Sequence, residues 1–359
     1  MERMGTYGGF LFLLIVVVTL CTHGSVFSMR DESVQKEFTG AILNQEVGKV
    51  FQLLKENNGT IPERAIEKSI NKGSSEVLSL LIAWGGSVNS VVGKEKMVPP
   101  LFCLSKCMED INSSDHSKNS ENNFFSCFTK LLMVGAPVTG VKEKVSILEK
   151  MGNKEKIGKL LQKVALLTTY VQMIDTLKIK DEWSEKLINF LSGNSSIDTG
   201  GFLSLFEVGL FRSCVLKKAD RYTHMFDNFL TIKEKKYEDV REQLLLSKLR
   251  KDFLVQDIVK RYRDILTKND ASKDSRVWSA YLLALLVREK VCLDINIASD
   301  IKERDLLPQA MISSVFGIKH KVVKKLISEE QNVRSPLKMI KDFLKRCECS
   351  CRSSTWAEL

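Results

Sequence analysis

Gly73–Asn89, GSSEVLSLLIAWGGSVN, is the stretch that decides how this chain folds. A Gly-Ser turn opens it, an amphipathic run follows, and Gly85-Gly86 closes it. Val77, Leu80 and Leu81 recur at helical spacing, so they line one apolar stripe that a neighbour must cover. The paired glycines fall where a helix ends in a left-handed residue, a conformation glycine adopts at little cost. A helix this short cannot shield its own stripe, so the stretch predicts a stack of similar units.

Working outward, the same theme recurs from Phe38 to about Lys163. Val47–Leu54, VGKVFQLL, ends at Asn57-Asn58-Gly59, and a helix is expected near Glu63–Lys72 ahead of the quoted stretch. A third unit starts at Pro99-Pro100-Leu101-Phe102-Cys103-Leu104. The polar run Met108–Asn123 interrupts it before it resumes at Phe124–Val134 and turns at Gly135-Ala136-Pro137. Val145–Gln162 supplies a fourth.

Together these residues resemble the ankyrin-repeat family, whose unit carries Thr-Pro-Leu-His-x-Ala in its first helix. The family's second helix carries a Val-Val-x-Leu-Leu-Leu core and ends in Gly-Ala. Gly73, Glu76, Val77, Leu80, Leu81, Gly85 and Asn89 carry the match in unit two. Pro100-Leu101, Leu131-Leu132 and Gly135-Ala136 carry it in unit three, while units one and four match by pattern. The Thr-Pro-Leu-His tetrapeptide is absent: Glu67 stands at the histidine position of unit two and Phe102 at that of unit three. In the family that histidine and threonine tie the first turn together, so the resemblance implies looser, divergent repeats. It also implies partner binding on a concave surface of first helices and hairpin tips. Contact candidates on it are Glu63, Glu67, Trp84, Ser87, Asn89, Phe102 and Lys106. Trp84, an aromatic at a helix end beside Gly-Gly, is expected partly exposed as an interface anchor, or else packed on the next repeat.

From Ala165 onward the character changes. Between Phe202 and Leu359 there are two glycines, Gly209 and Gly317, and two prolines, Pro308 and Pro336. Long helical patterns dominate, as in Tyr237–Lys268, with the polar turn Asn269–Ser275 after it. Val277–Val291 is apolar on most sides, which predicts the central buried helix of a bundle. Further helices are expected near Leu306–Ser328 and Ser335–Arg346, and Ser192–Gly201 reads as a loop. The expected fold is all-α: a short ankyrin-like helix-turn-helix stack at 38–163, a helical bundle at 164–346, and a cysteine-containing tail at 347–359.

The N-terminus reads as an address. Gly9–Cys21 is a 13-residue apolar run, shorter than the roughly 20 residues needed to span a bilayer. Val26-Phe27-Ser28 offers a cleavage site, so residues 1–28 are expected to be a secretory signal, with an uncleaved membrane anchor as the competing reading. The chain is then secreted or luminal in the secretory pathway. Asn58-Gly59-Thr60, Asn112-Ser113-Ser114 and Asn194-Ser195-Ser196 are glycan-acceptor patterns permitted by that route. Trp356-Ala357-Glu358-Leu359 lacks the pattern of a retention tail. Eight cysteines follow Cys21, and Cys347-Glu348-Cys349-Ser350-Cys351 fits a disulfide within the tail or to another chain better than a metal site.

Charge adds a second reading of function. The chain of 359 residues has a formal net charge of +10. Residues 318–352 hold ten Lys/Arg against four Asp/Glu. Lys321, Lys324, Lys325, Lys338, Lys341, Lys345 and Arg346 alternate there with apolar residues, as in helices that lie on an anionic membrane surface. A plain solvated face is the competing interpretation. Nucleic acid is disfavoured as a partner, since no recognition motif accompanies the charge. Chemistry finds no foothold: His116, His224 and His320 stand apart in sequence, and no phosphate loop, zinc helix or nucleophile elbow occurs. His224 is expected packed in or half-buried on its helix. No cofactor, metal or catalytic residue is expected, and the first reading is a non-enzymatic adaptor for an unidentified protein partner.

Overall fold

The computed structural model describes residues 32–112, 120–150, 154–176, 199–230, 251–292 and 294–317. Among these residues every regular element is a helix, so the fold is all-α. Four helix pairs come first: α1 (Glu32–Leu43) with α2 (Val47–Glu56), α3 (Ala65–Asn71) with α4 (Ser75–Ala83), α5 (Pro99–Asn112) with α6 (Ser120–Met133), and α7 (Val141–Lys150) with α8 (Lys154–Thr176). The members of each pair pack on one another. Helices α1, α3, α5 and α7 then stack side by side as one layer, and α2, α4 and α6 as a second.

The turns explain this regularity. Helix α4 starts with the Ser74 hydroxyl accepting the Val77 N–H at 3.4 Å, and it ends on Gly85 at φ 102°. There the N–H of Gly86 reaches the carbonyl of Leu81 at 2.8 Å and that of Gly85 reaches Ile82 at 3.0 Å, which closes two orphan carbonyls. The same double bond ends α6, from Ala136 to Leu131 at 3.1 Å and from Gly135 to Leu132 at 3.2 Å, with Gly135 at φ 85°. Such a turn reverses the chain within a few residues, so each helix folds back beside the one before it. Between α4 and α5 the chain makes a small hairpin, where Val92 and Met97 exchange N–H···O bonds of 2.7 and 2.9 Å.

The later helices are α9 (Thr199–Val215), α10 (Ala219–Leu230), α11 (Lys251–Thr267), α12 (Lys273–Arg288) and α13 (Ile295–Arg304), followed by α14 over 309–317. Helix α9 takes the next place in the second layer, against α6 and α8. Helix α12 packs on α2 and α4 of the second layer and also on α9, α11 and α13. Every residue from Val277 to Val287 is buried, as expected for a central helix. One apolar core runs from Phe38 to Val315, so the stack and the later helices share it.

Several expected boundaries shift. Val145–Gln162, read as the fourth unit, lies across α7 and α8, and α7 opens four residues before it at Val141. The proposed division at 163/164 lies inside α8. The polar run Met108–Asn123 extends its flanking helices to Asn112 and back to Ser120. Thr199–Gly201, read as loop, forms the first turn of α9. The expected signal at 1–28, the tail at 347–359, the helix at Ser335–Arg346 and the ends of two other expected helices lie outside the described residues.

Two polar ties join α8 to α9 and α10. Arg212 of α9 is 2% exposed and grips Asp175 of α8 through Nε (2.6 Å) and Nη2 (2.7 Å). Its Nη1 donates to the carbonyls of Leu132 (2.9 Å) and Ala136 (3.0 Å) at the end of α6. Nearby, Tyr222 donates to the Phe206 carbonyl at 3.1 Å, which leaves Tyr170 to donate across the 2.7 Å hydroxyl pair. Burial pushes both phenols well above their ordinary pKa, so they stay neutral donors. The pair fits only because residue 209 is glycine: a Cβ there would lie 2.6 Å from Tyr222 Oη and 2.7 Å from Tyr170 Oη. Gly209→Ala is therefore expected to lower stability by about 1–3 kcal/mol, measured as a drop in the urea midpoint at unchanged slope.

Candidate partner-binding surface

The contact candidates divide into two groups. Glu63, Ser87 and Asn89 are exposed, and Lys106 is half-buried, paired with Glu109 and lying over the Phe102 ring at 5.7 Å. Trp84, Glu67 and Phe102 are buried, at 8%, 7% and 6% exposure, and serve the fold.

Trp84 corrects the expectation of a partly exposed anchor. Its ring meets Phe51 of α2 edge-on, with centroids 5.8 Å apart, and its Nε1 donates to the Leu306 carbonyl at 3.2 Å. Gly59 packs over the same ring, and Lys55 pairs with Asp305 alongside. The indole thus pins the segment between α13 and α14 onto units one and two. Its hydrogen-bond partner lies 222 residues away in sequence, beyond the reach of any local pattern.

Glu67 and Phe102 hold the hairpin. Glu67 accepts from the Gly93 backbone N–H and from Arg64, whose Nε lies 2.9 Å away. Gly93 turns at φ 75°, and a Cβ there would lie 2.8 Å from the Phe102 ring. The hairpin therefore closes on one carboxylate and one aromatic ring. Its outer residues Lys94, Glu95 and Lys96 are exposed, and Val91 stands 55% exposed while its neighbour Val92 is buried. The sequence reading missed Val91; the bare Val-Val pair between turn residues offered only a weak alternation signal.

Other expectations meet simple outcomes. His224 is exposed on α10, not packed: Tyr222 takes the inward position, and two residues further on the helix has turned about 200°. Cys103, Cys107, Cys127, Cys214 and Cys292 are all buried. Burial pushes the thiols of Cys127 and Cys214 up to about 12, which leaves almost no thiolate at neutral pH. Among the described residues no group of three or more His, Cys, Asp or Glu is placed to hold a metal ion. No described helix is long and apolar enough to cross a membrane. Lys321, Lys324, Lys325, Lys338, Lys341, Lys345 and Arg346 lie outside the described residues. No family model, curated protein or solved structure matches the chain.

Two variants test the assignments of buried residues. Trp84→Phe keeps a ring but strands the Leu306 carbonyl, so it is expected to cost about 1–3 kcal/mol in denaturant unfolding. A partner anchor would leave stability unchanged. For Glu67, the hydrogen bond and charge of Arg64, with help from Gly93, hold the carboxyl below the ordinary range. Its contribution is then fully present above the unfolded value of about 4.3 and is lost as pH falls through the folded value. Below about pH 4.3 the midpoint of Glu67→Gln should fall less steeply with pH than that of the wild type.

Proposed function

We propose that this chain is a non-enzymatic protein-binding protein of the secretory route, built on a divergent ankyrin-type array. Partners meet it on the layer formed by α1, α3, α5 and α7 and on the adjoining hairpin tip. One observation carries the reading. Helices α9 and α12 pack on the second layer, whereas among the described residues no later helix packs along the first. The three large apolar side chains exposed among the described residues support it, since all lie on that side: Leu43 ends α1, Ile147 sits on α7, and Val91 is on the tip. Exposed apolar residues beside polar Ser87, Asn89 and Glu63 fit a protein interface, where anchors sit within a polar rim.

The array reading is supported by the paired, two-layer packing, the repeated glycine turn and the hairpin. Glu67, at the family's histidine position, ties the first helix of unit two to the tip with a carboxylate.

The test compares two faces of the folded protein. Val91→Arg with Ile147→Arg is expected to weaken a captured partner at least tenfold, while Asp264→Lys on α11 leaves affinity unchanged. Circular dichroism confirms that each variant folds. Loss on Asp264→Lys with retention by the Val91 and Ile147 pair overturns the assignment.

A further inference from the structure

We propose that Asn58 is a glycosylation site, carrying an oligosaccharide on its side-chain nitrogen at the turn between α2 and α3. The proposal rests on the secretory-route reading above and on the geometry of this turn. Asn58-Gly59-Thr60 has a hydroxyl residue two positions on and glycine, not proline, between. Asn58 is exposed and sits at φ 51°, a left-handed position that asparagine tolerates better than most residues.

The described turn does not depend on its amide. The turn is held by main-chain bonds: Gly59 N–H to Leu54 at 2.7 Å, Asn58 N–H to Lys55 at 3.3 Å, and Thr60 N–H to Asn57 at 2.9 Å. The adjacent Asn57 is half-buried and spends its amide on the Leu53 carbonyl at 2.8 Å. Among the described residues none hydrogen-bonds the Asn58 amide, so a sugar on Nδ2 breaks no bond there. The turn's packed side is occupied by Gly59 against the Trp84 ring, while Asn58 is on the exposed side. The other two patterns lack such a setting: Asn112 is the last residue of α5, and Asn194 lies outside the described residues.

The transfer balances simply. Asn58 Nδ2 attacks the anomeric carbon of a polyprenyl-diphosphate-linked oligosaccharide, a C–N bond forms and the sugar–phosphate C–O bond breaks. The amide gives up one proton, and polyprenyl diphosphate leaves. A glycan here stands beside the link between units one and two. It would confine a partner to the tip at 87–97 and the units beyond.

The experiment translates the full chain in the presence of eukaryotic microsomes and reads its mass and peptide map before and after enzymatic removal of N-glycans. The expected result is a glycan lost in Asn58→Gln and in Thr60→Ala, retained in Thr60→Ser, and an aspartate at position 58 after removal. A protease-protected chain with unmodified Asn58 overturns the site while leaving the export reading intact. A second arm replaces residues 1–28 with the signal of an established secreted protein. Modification only in that arm overturns export of the native chain and modification in the cell with it.

Discussion

Helix α12 has no face that tolerates water. From Val277 to Val287 each side chain is buried, including Trp278, Tyr281 and four leucines, and each large one contributes about 1.5–3 kcal/mol by leaving solvent. A helix of this kind needs neighbours all round, and it finds them in α2 and α4 on one flank and in α9, α11 and α13 on the others. The Ser279 hydroxyl is buried among them without a hydrogen-bond partner, a cost of about 1–3 kcal/mol that the surrounding packing absorbs. Short helix pairs alone would leave the outer side of their second layer bare. With α12 in place, that side becomes the middle of the molecule, whereas among the described residues no later helix packs along the first layer.

One buried and one half-buried cation bind the layers at the seams. Arg212 reaches from α9 to a carboxylate on α8 and to two carbonyls at the end of α6. The helix end and the guanidinium satisfy each other; Asp175 is half-buried, and its removal would leave the buried Arg212 charge without its carboxylate. Lys130 plays a similar part between α4, α6 and α12. It donates to the Ser75 carbonyl at 2.9 Å and to Ser79 Oγ at 2.5 Å, and lies over the Trp278 ring at 5.6 Å. Burial lowers its pKa, and that desolvation is what makes each of its few contacts matter.

Local chemistry was readable from the residues alone. Gly85 and Gly135 announced the ends of α4 and α6, because a left-handed turn has few other solutions. The apolarity of Val277–Val291 on most of its sides announced a central helix. Long-range placement was not readable. Trp84 looked like a surface anchor because nothing near it in sequence reveals Leu306. Glu67 and Phe102 looked like surface positions by family pattern, yet Gly93 folds the hairpin down on both. The division at 163/164 falls inside α8 for a related reason: a change in composition marks where glycine and proline thin out, not where a helix stops.

The placement of α12 has a consequence for how the chain is born. Roughly 190 residues separate the end of α4 from the start of α12, which at typical synthesis speeds is on the order of ten to forty seconds. Through that interval the flank of α4 that α12 will cover has no permanent occupant. The nascent stack must either be guarded by a chaperone or rely on weak temporary cover, and closing so wide a loop comes late and slowly. Maturation of this protein should therefore be limited by the arrival of its own central helix.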